Sequence, residues 1–73
     1  MIRASVTAAR VEVDGDCMRL YVEAESQRAS MHLSLCYNAK DWEAKGAGLF
    51  DRISKAMRAF QQFDLDPAEF AYG

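Results

Sequence analysis

Residues 16–37 read DCMRLYVEAESQRASMHLSLCY and contain two runs in which apolar and polar side chains alternate. Alternation with a period of two is typical of strands that lie on a core with one face and meet water with the other. The two runs predict antiparallel strands at residues 17–25 and 29–37.

The turn between these strands is predicted at ESQR, residues 25–28, which places Ala24 opposite Ala29. In that register every inward apolar residue of one strand faces an apolar residue of the other. On the outer face, the same register places Tyr21 opposite His32.

An earlier strand is predicted at residues 2–13, followed by DG, residues 14–15, which suits a type I′ hairpin turn. This turn pairs Val11 with Met18. The apolar residues change phase near Ala8 and Ala9, and one extra residue there, a β-bulge, returns both halves of the strand to the same face.

An amphipathic helix is predicted at residues 48–62, because apolar residues recur there every three or four positions. Glycine costs a helix interior about 1 kcal/mol relative to Ala, so we expect a break or bend at Gly46 and Gly48. Asn38 or Asp41 is expected to cap a first helical turn before that break. The apolar stripe of the helix consists of Leu49, Ile53, Met57 and Phe60.

The sequence DPAEF, residues 66–70, is typical of a short capped helical turn, with Asp at the N-cap position and Pro at the first helical position. The predicted fold is therefore α+β: a three-stranded antiparallel β-meander with one amphipathic helix packed on one face, and a short capped turn at the C-terminus. Residues 1–73 are expected to form a single domain in which Leu33 and Ile53 share the core.

The composition is that of a globular chain, with 51% hydrophobic and 27% charged residues. A core of this size supplies only about 3–5 kcal/mol of net stability, so a partner would matter thermodynamically. No apolar run is long enough for a signal peptide or a membrane span. We therefore expect a cytoplasmic protein with no membrane partner.

Cys17 and Cys36 are expected to lie opposite each other on the outer face as two free thiols, with a disulfide and a metal site as less favoured alternatives. His32 is four residues from Cys36, about 13 Å along a strand, which is too far for one zinc ion. With one histidine, no triad and no phosphate-loop motif, we expect no metal, no cofactor and no enzymatic activity.

A partner-binding surface is predicted on the outer face of the sheet, where Tyr, Arg and His occur together, as they do on recognition surfaces. Its residues are Arg19, Tyr21, Ser30, His32 and Ser34. The third strand also has no formally charged residue, although edge strands normally carry charge to prevent intermolecular pairing. Three occupants of this edge are considered: a partner, a second copy in a homodimer, and the C-terminal tail.

The predicted function is that of a small non-enzymatic binding module that docks on a larger partner, a protein or ribonucleoprotein complex. Inhibitors of host machinery from phages and mobile elements, such as anti-CRISPR proteins, are small chains of this kind.

The alternative is a nucleic-acid-binding module that uses the open sheet face or a basic stripe on the helix. That stripe consists of Arg52, Lys55 and Arg58. Three-stranded sheets with one helix also occur in AP2-type and phage-integrase arm-type DNA-binding domains, whose open faces are basic. Here that face offers only Arg19 and Arg10, and the net charge is −2, so direct nucleic-acid binding is less favoured.

Overall fold

The computed structural model of the chain describes residues 2–27 and 29–65. These residues form a curled antiparallel sheet and one helix of 20 residues, so the predicted α+β class is confirmed. The order along the chain is β1 (Ile2–Asp14), β2 (Cys17–Glu25), β3 (Ser30–Tyr37), a helix made of α1 (Ala39–Asp41), a π-helical segment (Trp42–Gly46) and α2 (Ala47–Arg58), and then β4 (Gln62–Leu65).

The sheet has four strands in the order β3-β2-β1-β4, so the prediction of three strands is wrong. β4 pairs with the start of β1, from Ile2 opposite Leu65 to Ser5 opposite Gln62. Its polar-apolar alternation, Gln-Phe-Asp-Leu, is that of a strand but covers only four residues. The capped turn predicted at residues 66–70 lies outside the described residues.

The helix begins nine residues earlier than predicted, at Ala39, without a break at the glycines. The side-chain oxygen of Asn38 accepts a hydrogen bond of 2.7 Å from the backbone N–H of Asp41, so the predicted cap is confirmed. Gly46 is required by close packing, because a Cβ there would overlap the ring of Trp42 and lie 3.0 Å from Tyr37.

The helix ends at Arg58, four residues before the predicted end, in a Schellman motif. The N–H of Phe60 donates to the carbonyl of Met57 at 3.2 Å, and the N–H of Gln61 donates to that of Ala56 at 2.9 Å. Phe60 has a φ of 55° and is 97% exposed. Its predicted place in the apolar stripe is therefore wrong.

The first hairpin keeps its predicted faces, but its register differs. Val13, and not Val11, lies opposite Met18. The central turn residues are Gly15 and Asp16, and only Gly15 has a positive φ, 61°. A positive φ at the first central position alone is the pattern of a type II′ turn. The predicted type I′ turn, which needs a positive φ at both central positions, is therefore wrong.

The predicted bulge in β1 is confirmed, one residue earlier than expected. The register with β2 shifts between Val6 and Ala8, which leaves Thr7 as the extra residue. The hydroxyl of Thr7 donates to the carbonyl oxygen of Glu23 at 3.2 Å. The bulge brings the apolar residues on either side of it to the inner face.

The second hairpin has a four-residue loop, as predicted, but the loop lies one residue later, at 26–29. Both the backbone N–H and the hydroxyl of Ser26 donate to the carbonyl oxygen of Ala29. This closure places Ala24 opposite Met31 and moves every predicted partner by two residues. An even shift leaves each side chain on its predicted face.

The core lies between the inner face of the sheet and α2, which packs on β1 and β4. Leu33 packs against the cluster that contains Ile53, so the shared core is confirmed. Among the residues that the structure describes, no helix is long and apolar enough to cross a membrane. The buried cluster consists of Ala4, Val6, Leu20, Val22, Ala24, Leu35, Leu49, Ile53 and Leu65.

Candidate functional site

The candidate site is a strip on the outer face of β2 and β3, opposite the face that carries the helix. Alternate residues of a strand point to the same side of a sheet, and all five predicted partner-binding residues share this side. Three of them are half-buried and two, on β3, are exposed. In that order they are Arg19, Tyr21 and Ser34, and then Ser30 and His32.

Tyr21 is the aromatic residue of the strip. It lies between Ser34 on β3 and Arg10 on β1, so the predicted pairing with His32 is wrong. The guanidinium carbon of Arg10 lies 4.5 Å from the centre of the Tyr21 ring, and its Nε donates to Glu12 at 3.2 Å. Such a cation–π contact contributes about 0.5–1 kcal/mol at an exposed site and fixes the ring against the sheet.

His32 lies opposite Glu23, and its Nδ1 is 3.5 Å from a carboxylate oxygen of that residue. Both side chains are exposed, so water screens this pair and its contribution to stability is small. Ser30 is the next outward residue of β3 and lies opposite Glu25, beside the turn. The predicted residues therefore form one continuous strip.

A shallow recess of about 170 Å³ lies beside Tyr21. Small-molecule sites usually enclose about 300–1,000 Å³. The recess is therefore small for a cofactor, and it suits a single side chain of a partner. It is lined by Ala8, Ala9, Arg10, Tyr21, Val22, Glu23 and His32.

At the other end of the strip, the structure joins Cys17 and Cys36 in a disulfide. Their Cα atoms are 5.9 Å apart, close to the usual separation of about 5.5–6 Å. The prediction of free thiols is therefore wrong. The predicted direct opposition is wrong too, because Cys36 lies opposite Arg19. The disulfide ties β3 to β2 on the outer face.

The predicted basic stripe lies on the exposed side of α2, which faces away from the sheet. Lys55 lies 3.0 Å from a carboxylate oxygen of Asp51, so part of its charge is neutralised. Arg58 donates from its Nε to the carbonyl oxygen of Ser54 at 3.4 Å. Arg52 is exposed on the same side. The stripe and the strip are thus separate surfaces.

Sequence reasoning missed Arg10 and Glu23 as members of the site. Both are on the predicted outer face, but the predicted turn of the first hairpin placed Arg10 opposite Arg19 and hid its contact with Tyr21. The sequence signal for the true register is Gly15 itself, because its φ of 61° places Gly15 and Asp16 at the centre of the turn.

Among residues 2–27 and 29–65, no group of three or more His, Cys, Asp or Glu side chains is placed to hold a metal ion. No family model, curated protein or solved structure matches this chain.

Proposed function

We propose that this chain is a small non-enzymatic binding module that docks on a protein or ribonucleoprotein through the outer face of β2 and β3. The observation that carries the proposal is the fixed ring of Tyr21 beneath Arg10, beside an edge strand without formal charge. An aromatic ring that is ordered before binding loses little conformational entropy when a partner covers it.

Two further features support docking of a protein over a small ligand. The recess beside Tyr21 has room for one side chain, and its walls combine cationic and anionic groups from Arg10 and Glu23. Mixed charges around an aromatic anchor suit the polar rim of a protein interface. An inhibitor of host machinery, of the anti-CRISPR type that phages and mobile elements encode, is the form of this function that we favour.

The test is affinity capture from a host lysate with matched variants. Tyr21→Ala and His32→Lys change the outer face without touching the buried core, and Arg52→Glu with Lys55→Glu changes the helix stripe. We expect a stoichiometric protein that the wild type and the helix variant capture and the outer-face variants lose. An outer-face residue at a buried centre should contribute about 1–3 kcal/mol to binding. The proposal would be contradicted if the helix variant lost the captured protein while Tyr21→Ala and His32→Lys still captured it.

Nucleic-acid binding through the helix stripe is the second candidate function, supported by three exposed basic residues on one side of α2. It predicts binding of DNA or RNA that weakens steeply with salt, because released counterions drive phosphate contacts. The variant with both Arg52→Glu and Lys55→Glu is decisive, since it should remove nucleic-acid binding and leave docking through the outer face intact.

A cytoplasmic location remains part of the proposal, and the disulfide offers its test. Disulfides persist mainly in oxidising compartments. Alkylation of the protein in intact cells, followed by mass measurement, distinguishes free thiols in the cytoplasm from a disulfide in an oxidising compartment. Free Cys17 and Cys36 would support the cytoplasm, and a persistent bridge would place the working protein in an oxidising compartment.

A further inference from the structure

Among the described strands, the outer edge of β3 differs from the other edges of the sheet because it carries no Asp, Glu, Lys or Arg. β3 is the terminal strand of the order β3-β2-β1-β4, and β4 lies at the opposite side against β1. The described part of the C-terminal segment therefore does not cover β3. Along Ser30–Tyr37, only His32 can carry a charge. No strand among residues 2–27 and 29–65 pairs with β3 on this side, and the side chains of β3 include none of the Asp, Glu, Lys or Arg residues that normally block a further strand.

The inner face beside this edge is incompletely covered. In the neighbouring strand β2, Leu20 and Val22 are 0% and 1% exposed. On β3 itself, Met31, Leu33 and Tyr37 pack against the core but remain only half-buried. The helix packs on the β1 and β4 side. Leu35 is already buried, at 3% exposed, so a strand added at β3 would extend the apolar inner face beside the half-buried Met31 and Leu33.

The sequence of β3 is complementary to itself. An antiparallel pairing of two β3 strands must match inward with inward residues, so only registers with an even residue sum are allowed. Two such pairings cover seven residues each, one centred on Leu33 and one centred on Ser34. The pairing centred on Ser34 is favoured because it includes all four inward residues of β3. It places Met31 opposite Tyr37 and Leu33 opposite Leu35 on the inner face, and His32 opposite Cys36 on the outer face. Every apolar residue then meets an apolar residue.

We propose that two copies of this chain pair through β3 around a two-fold axis at Ser34, which joins their sheets into one. The inference rests on the proposed function and deepens it. In the joined sheet, the two outer strips lie side by side and present Tyr21 and His32 twice on one surface. A second copy is the occupant that fits, because a closed two-fold interface uses the same patch on both chains and this patch has no charge to repel itself.

The test uses charges at the two-fold axis, where residue 34 of one chain faces residue 34 of the other. Ser34→Lys and Ser34→Glu are compared with the wild type by sedimentation equilibrium. Gln62→Lys is the matched control, since it adds the same charge to the outer face at the opposite edge. Circular dichroism and the thermal unfolding of each variant confirm that the fold is kept.

We expect a wild-type dimer, and for each Ser34 variant alone a dissociation constant raised tenfold or more by like charges in contact. The mixture of Ser34→Lys and Ser34→Glu should dimerise again, because unlike charges then meet. Gln62→Lys should dimerise as the wild type does. A monomeric wild type, a Ser34→Lys variant that dimerises normally, or a mixture that stays monomeric would each overturn the proposal.

These outcomes are separable from those of the proposed function. If the wild type is a monomer and still captures a protein through Tyr21, the dimer proposal is rejected and the docking function is kept. If the wild type is a dimer and its Tyr21→Ala variant captures the same proteins as the wild type, the dimer stands and docking through Tyr21 is rejected.

Discussion

The two edges of the sheet are built differently. At the β4 edge, the helix covers the inner face, and Leu65 is 2% exposed. Arg3 and Asp64 form an ion pair of 3.1 Å there, and the hydrogen bond to Asp64, together with its charge, raises the pKa of Arg3. At the β3 edge, Leu33 is half-buried, and the described charged contact is the exposed pair of His32 and Glu23, 3.5 Å apart. The β4 edge is therefore covered by the helix and carries an Arg–Asp pair, whereas the β3 edge is only partly covered.

β4 pairs only with Ile2–Ser5, so the rest of β1 also has backbone that no described strand pairs on that side. This part of β1 alternates charged residues along its outer face, namely Arg10, Glu12 and Asp14. Charges on an edge strand oppose pairing with another chain. β3 differs from this part of β1 because no described strand pairs with its outer edge and it carries no Asp, Glu, Lys or Arg.

The largest expected effect is the loss of unfolding free energy when a leucine is truncated at each edge, because the leucine is buried at the β4 edge and half-buried at the β3 edge. Leu65→Ala should lower the free energy of unfolding by about 2–5 kcal/mol, as for other fully buried leucines. Leu33→Ala should lower it by only about 1–2 kcal/mol, because less apolar area is lost from a half-buried site. Urea unfolding of both variants at low protein concentration measures the difference, and equal losses there would show that the β3 edge is already covered within one chain.

The second effect concerns what holds each edge strand in place. The bridge between Cys17 and Cys36 has a sequence separation of 19, and closing a loop of that length stabilises a fold by about 3 kcal/mol. The Cys17→Ser, Cys36→Ser variant should lose about that amount in urea unfolding. Wild type with a reductant is the control and should match the variant. An unchanged midpoint in both would mean that the disulfide does not hold β3.

The smallest effect lies at Phe60, in the turn that leads into β4. A non-glycine residue in the left-handed region costs about 1–2 kcal/mol, and this ring, almost fully exposed, gains nothing from burial. Phe60→Gly should therefore raise the stability by about 1 kcal/mol in thermal or urea unfolding. Self-association and protein capture should stay unchanged. Lost capture with a stabilised fold would move the docking surface to the β4 side.

Much of the fold follows from local patterns. Period-two alternation in β2 and β3 predicted which side chains face the core, and those faces survive a register error of two residues because side chains repeat every two. The partners themselves depend on the turns, and the turn geometry at Gly15 and at Ser26 is set by single backbone conformations. For that reason the strip was predicted as a set of residues, while its contacts were not.

The remaining errors also have physical causes. β4 has only four residues, too few for its alternation to compete with the helical period that precedes it. Phe60 fits that period, but the Schellman motif takes it out of the helix and turns its ring to water. The predicted register already brought the two cysteines together, but a disulfide was disfavoured because direct opposition strains the bridge and because a reducing compartment was expected. In the structure Cys36 lies opposite Arg19, and the Cα atoms of Cys17 and Cys36 are 5.9 Å apart.

Amide hydrogen exchange, resolved by residue at low and at high protein concentration, tests the difference between the two edges most directly. We predict that amides of β3 that point away from β2 exchange quickly in dilute protein and gain protection as the concentration rises. The amides of β1 at residues 6–14 that point away from β2 should show no such change. Protection of β3 that is already complete in dilute protein, or that stays absent at high concentration, would contradict the account.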